Sequence, residues 1–99
     1  MTYEELVIQI KDDARNILAY CQNREKEMMP PITIETGKTE FENISKKLIE
    51  LGYTFKCIEC WNDNIPLFAF KHDVDKYIKE IGIRGNSGRL QIMTRIGKK

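Results

Sequence analysis

Three stretches of this 99-residue chain place residue types that do chemistry at short spacing. Cys57-x-x-Cys60 has the spacing of half a zinc site or of a redox pair. A structural zinc ion needs four ligands, and the sequence offers only Cys21 and His72 beside them. The pair falls in a strand pattern that sends the two thiols to opposite faces, and no helix follows to lower a thiol pKa. Inert buried cysteines are the better reading. His72-Asp73-Val74-Asp75 sets the single histidine beside two carboxylates, which serves metal binding or acid–base catalysis. No nucleophile stands next to it, and Asp73 with Asp75 suits a helix start equally well. Gly82-x-x-Gly85-x-x-Gly88, with Arg84 and Arg89 nearby, could cradle a phosphate through backbone N–H groups. It does not stand between a strand and an opening helix, as nucleotide loops do. The expectation is therefore no catalytic residue, no metal and no cofactor.

The charge is unevenly placed. Residues 71–99 carry eight basic and three acidic side chains, a net +5, while residues 1–70 carry a net −4. Such a split suits an oriented contact with an anionic surface, protein or nucleic acid. Lys71, Lys76 and Lys79 are interleaved with acids. The cations without acids beside them in sequence are Arg84, Arg89, Arg95, Lys98 and Lys99.

The length makes one domain, 1–99, of ordinary globular composition, with 41% hydrophobic and 31% charged residues. No apolar run approaches the ~20 residues that span a bilayer, and the N-terminus lacks a signal-peptide pattern. Three cysteines fit a reducing compartment. Cytoplasmic residence is expected, and the many Ile and Lys residues hint at a low-GC bacterium or its phage.

These residues need elements to position them. Tyr3, Leu6, Val7, Ile10, Ala14, Ile17, Leu18 and Cys21 form one helical stripe, predicting a helix over 3–27 with a Thr2/Glu5 capping box. Pro30-Pro31 ends this segment, residues 1–29. Ile32–Glu35 alternates as a short strand broken by Gly37. A helix over 40–51 follows, opened by Thr39/Glu42, with Phe41, Ile44, Leu48 and Leu51 inward and Gly52 as its left-handed cap. Tyr53–Trp61 and Ile65–His72 read as a hairpin around Asn62-Asp63-Asn64. Val74, Tyr77, Ile78 and Ile81 predict a third helix over 74–81, capped by Asp73 and ended by Gly82. Gly85–Gly88 reads as a loop, and Arg89–Ile96 as the last strand. The expected fold is α+β: a long N-terminal helix, then a ferredoxin-like β-α-β-β-α-β unit over 31–96 with a four-stranded antiparallel sheet. A winged-helix-like domain is the competing arrangement.

Alternation along the hairpin puts Tyr53, Phe55, Cys57, Trp61, Ile65, Leu67 and Ala69 on one face, the better core face. Lys56, Ile58, Cys60, Phe68, Phe70 and His72 take the other. Leu90, Ile92 and Ile96 point inward from the last strand, with Arg89, Gln91, Met93 and Arg95 opposite. Phe68-Ala69-Phe70 resembles the Phe-Gly/Ala-Phe centre of the signature strand of RNA-recognition motifs. The expected strand order also sets Phe68 and Phe70 centrally on that face with Lys56 and Arg89/Arg95 at its edges, a surface that can stack bases and bind phosphates. Pro66-Leu67, Lys71-His72-Asp73 and Thr33 depart from the family pattern, and Glu35 adds a negative charge. The first helix bears on the same face. Its stripe must be buried, and Ile58, Phe68, Phe70 and Met93 could receive Leu6, Ile10, Ile17 and Leu18, each such burial giving about 1.5–3 kcal/mol. Two copies could instead pair through this helix as a homodimer. Covering is favoured over pairing, and both over an open face.

The functional expectation is a small non-catalytic module acting by protein–protein contact, such as a phage or mobile-element inhibitor or regulator of nucleic-acid machinery. The alternatives are a single-stranded RNA- or DNA-binding protein and a small enzyme of unknown type. The residues expected at the contact are Arg84, Arg89, Arg95, Lys98, Lys99, Lys56, Phe68 and Phe70.

Overall fold

The computed structural model of the protein describes the backbone of residues 2–25, 34–86 and 89–99, and the side chains of these except residues 18, 20–25, 34–40, 86, 89 and 90. Two helices, α1 (Tyr3–Glu25) and α2 (Ile34–Glu50), precede four strands. These are β1 (Thr54–Cys60), β2 (Pro66–Val74), β3 (Tyr77–Asn86) and β4 (Arg89–Lys98). The strands pair antiparallel in sequence order, β1-β2-β3-β4. No described helix is long and apolar enough to cross a membrane.

The helix ends follow from local chemistry. The Glu5 backbone N–H donates to Thr2 Oγ1 at 3.2 Å, and the Thr2 N–H donates to Glu5 Oε1 at 3.4 Å, which closes the capping box. Gly52 has φ 97°, and its N–H donates to the Ile49 carbonyl while that of Tyr53 reaches the Leu48 carbonyl. This left-handed cap stops α2 and turns the chain into β1.

The α+β class and the four-stranded antiparallel sheet agree with expectation, and the ferredoxin-like order does not. Two elements account for this. The strand expected over 32–35 is not present in its described half, because Ile34 and Glu35 already belong to α2. Ile32 and Thr33 lie outside the described residues, as do Lys26, Glu27 and Pro30-Pro31. Gly37 and Thr39 fall inside α2 and neither breaks nor opens it. The third helix, expected over 74–81, is the start of β3. Asp75 adopts φ 55°, a left-handed conformation that aspartate tolerates and a helix does not, and the chain reverses as a hairpin pairing Val74 with Tyr77. From Tyr77 to Ile83, the side chains at 77, 79, 81 and 83 are buried on the helix-covered face, and Glu80 is buried on the other face beside Lys56 and Arg95. Tyr77 and Ile81 belong equally to the helical stripe of Val74, Tyr77, Ile78 and Ile81. Gly82, expected as a helix cap, lies in mid-strand.

Both helices cover one sheet face, α1 over β3 and β4 and α2 over the β1 side. That face carries Phe70, only 1% exposed, with Ile81, Ile83 and the partly buried Phe68, Ile92 and Ile96. Ile10 and Ile17 of α1 and Ile44 and Leu48 of α2 meet them there. The face bearing Phe68 and Phe70 is thus the main core, and the face of Trp61, Leu67 and Ala69 is the open one. The expected ranking of the faces is reversed, because α2 adds a second apolar stripe to the Phe68/Phe70 side. Phe55 also changes face. A bulge between Phe55 and Cys57 pairs Phe55 with Phe70 and breaks the alternation.

Candidate functional site

The open sheet face is built around Trp61. It follows β1 and folds back across the sheet, packing with Leu67 and Ala69 in a small second core edged by Met93. Gly82 makes room for the ring. A Cβ there would meet Trp61 Cζ3 and both Leu67 Cδ atoms at 3.0 Å. The indole N–H donates to Glu59 Oε1 at 2.7 Å, and the Arg95 guanidinium stacks over the ring at 4.1 Å from its centroid.

Around the ring, charges alternate in a closed quartet. Lys56 Nζ bonds Glu80 Oε1 at 3.2 Å and lies 3.4 Å from Glu59 Oε1. Arg95 Nη2 reaches Glu59 Oε1 at 3.0 Å, and Arg95 Nε donates to Glu80. Beside the quartet, Arg84 holds Asp63 at 2.6 Å and donates through Nε to Gln91 at 2.8 Å. The Trp61 indole and then Lys56 hold the Glu59 carboxyl below its usual range, and Arg84 does the same for Asp63. Glu80 raises the Lys56 ammonium. Three cations therefore meet three carboxylates on one face. Hairpin register brings them there: Glu80 pairs with Arg95, Gly82 with Met93, and Arg84 with Gln91.

Of the residues expected at the contact, Lys56, Arg84 and Arg95 come together on this face. Phe68 and Phe70 lie on the other, against Phe41 at 4.3 and 6.3 Å between ring centroids. Lys98 ends β4 and Lys99 follows it, with Lys99 Nζ 3.8 Å from Asp73 and its N–H bonded to the Lys76 carbonyl. The Arg89 side chain lies outside the described residues, as do those of Leu18, Cys21 and Leu90. Trp61, Glu59, Glu80 and Asp63 belong to the site and were not expected there. Their signal is sparse: the single tryptophan two positions after a glutamate in a strand pattern.

The other chemical candidates have structural settings. Cys57 lies on the open face beside Glu59 Oε2 at 3.5 Å, where desolvation and that carboxylate raise its thiol pKa, so it is a poor nucleophile. No three potential metal ligands cluster among the described residues. His72 ends up under Gly52, edge-on to the Tyr53 ring at 5.4 Å between centroids. Its Nδ1 is buried without a hydrogen-bond partner among the described residues. Desolvation first, and then the Lys79 ammonium, hold its pKa below the ordinary histidine value, with Asp13 and Asp73 opposing. Folding thus disfavours the imidazolium. The stability that the neutral ring contributes is full above the unfolded value of about 6.5 and is lost as pH falls from there toward the lowered folded value. The denaturant midpoint should fall on acidification below pH ~6.5, and His72→Gln should flatten that limb in a urea titration repeated across pH. An unchanged limb would assign it to other groups.

Comparison with known proteins gives no match to a family model, to a curated protein or to a solved structure. The functional reading therefore rests on the geometry of this face.

Proposed function

We propose that this chain is a non-catalytic binding module that holds a partner protein on its open sheet face, as an inhibitor or regulator of nucleic-acid machinery, in the cytoplasm. The observation that carries the reading is the charge quartet around Trp61. Tryptophan, arginine and methionine are the side chains that dominate protein contacts, and Trp61, Arg95 and Met93 lie together there. The quartet also weighs the partner's chemistry. A phosphate approaching Lys56, Arg84 or Arg95 would meet Glu59, Glu80 and Asp63 at the same spot. A protein surface carrying both signs can match the alternation.

The test is capture from a candidate host lysate with the wild type, Arg95→Glu with Lys56→Glu, and a helix-face control, Ile8→Glu. The reading expects one stoichiometric protein retained by the wild type and by the control, and lost from the open-face variant. Loss from the control alone, or equal retention by all three, would remove this face from the contact.

A second reading, single-stranded nucleic-acid binding, draws on one corner of the sheet. There Lys98 pairs with Tyr77, and Lys99 bonds the backbone of Lys76. It expects a gel shift whose affinity falls steeply with salt and disappears in Lys98→Glu with Lys99→Glu.

A further inference from the structure

We infer that β1 is a self-pairing edge, joining two copies of this chain through their β1 strands into one continuous sheet. Among the described residues β1 is an end strand, so one row of its backbone N–H and C=O groups is open to another chain. Two large apolar side chains stand out from this edge on the helix-covered side: Phe55 is 52% exposed and Ile58 is 59% exposed. Beside them runs an apolar groove of about 200 Å³, lined by Phe41, Ser45, Ile49, Phe55, Phe68 and Phe70. The groove lies apart from the Trp61 face, and of the residues on this edge only Lys56 and Glu59 also belong to that face's quartet.

The occupant follows from the bulge. Phe55 and Ile58 share the helix-covered face, while Lys56, Cys57 and Glu59 lie on the open one. A regular strand alternates strictly, so it can match this edge on one side of the bulge only. A second β1 carries the same break. Set antiparallel about a two-fold axis between residues 56 and 57, the copies agree in facing throughout. Phe55 then opposes Ile58 of the second copy, Lys56 opposes Cys57, and Thr54 opposes Glu59. Lys56 also falls diagonal to Glu59 of the second copy, within the reach of cross-strand pairs. The edge is thus complementary to itself in both apolarity and charge. Lys56 and the bulge meanwhile discourage indiscriminate strand addition.

Sedimentation equilibrium should give the mass of two chains for the wild type and of one chain for Ile58→Glu, whose exposed position leaves the fold intact. Ile8→Glu, on α1, should leave the dimer as it is. The register has its own test. Chains carrying Phe55→Cys and chains carrying Ile58→Cys, both with Cys21→Ser, Cys57→Ser and Cys60→Ser, are mixed and mildly oxidised. Residues opposed across strands stand within disulfide range, so the product should be the mixed 55–58 disulfide. A wild type with the mass of one chain at every concentration overturns the proposal. So does dissociation by Ile8→Glu but not by Ile58→Glu, which would place the contact on α1. A 58–58 disulfide as the main product overturns the register. Loss of the dimer leaves partner capture by the Trp61 face standing, so the two readings fail separately.

Discussion

Replacing Lys79 with alanine should cost about 3–5 kcal/mol of folding stability, the range for removing one member of a buried ion pair. Lys79 is 1% exposed, although it lies in mid-strand on the helix-covered face. Its ammonium bonds Asp13 Oδ2 at 3.1 Å and Gln9 Oε1 at 2.9 Å, both on α1, and lies 5.1 Å from the Tyr53 ring centroid. Tyr53 donates its hydroxyl to the same Asp13 oxygen at 2.7 Å, and burial with that carboxylate holds the phenol protonated. Truncating Lys79 leaves the Asp13 carboxylate with the Tyr53 hydroxyl but takes away its Lys79 counter-charge, and it removes the donor that Gln9 Oε1 accepts from. Removing both charges tests the mechanism. Lys79→Met with Asp13→Asn keeps an acceptor for Tyr53 and fills the space of the lysine stem, so it should recover most of the loss. Urea unfolding of the wild type, both single variants and the double variant would measure this. Additive losses would mean that the two side chains act independently.

Lys79 also explains where the sequence was hard to read. A buried lysine at an inward strand position looks polar, so the period-two run Tyr77, Lys79, Ile81, Ile83 lost to the helical spacing of Val74, Tyr77, Ile78 and Ile81. Its partner Asp13 is 66 residues away, and no local pattern announces such a contact. Features set by neighbours in sequence were legible: the Thr2/Glu5 box, the Gly52 cap, the first hairpin and the inward positions Ile92 and Ile96. The face grouping of Trp61 with Leu67 and Ala69 was legible too. That α1 covers the Phe68/Phe70 face was legible in its apolar stripe; that α2 packs beside it on the same face was not, because that depends on the order of the elements rather than on any one stripe. The site was half legible. Lys56, Arg84 and Arg95 stood out as cations, while the carboxylates that neutralise them come from β1, the β1–β2 turn and β3 and meet only through register.

The same register makes Trp61 the other position of large effect. Trp61→Ala should lose about 3 kcal/mol or more, the lower end for truncating a buried tryptophan. The ring seals Leu67 and Ala69 from solvent, carries the stacked Arg95 guanidinium, and donates the hydrogen bond that fixes Glu59. Its contact with Gly82 allows a test of placement. Gly82→Ala alone should cost about 1–3 kcal/mol, because the new methyl meets the indole and Leu67 at 3.0 Å. In Trp61→Ala the indole part of that clash is gone, and the methyl fills part of the space left behind. The double variant should therefore lose less than the sum of the singles, by about 1 kcal/mol or more. Strict additivity in a double-mutant cycle would mean that the indole does not rest on Gly82, and the charge quartet would then lack its centre. If the coupling holds, any partner that binds this face meets a ring already fixed in place, and little side-chain freedom remains to be lost on binding.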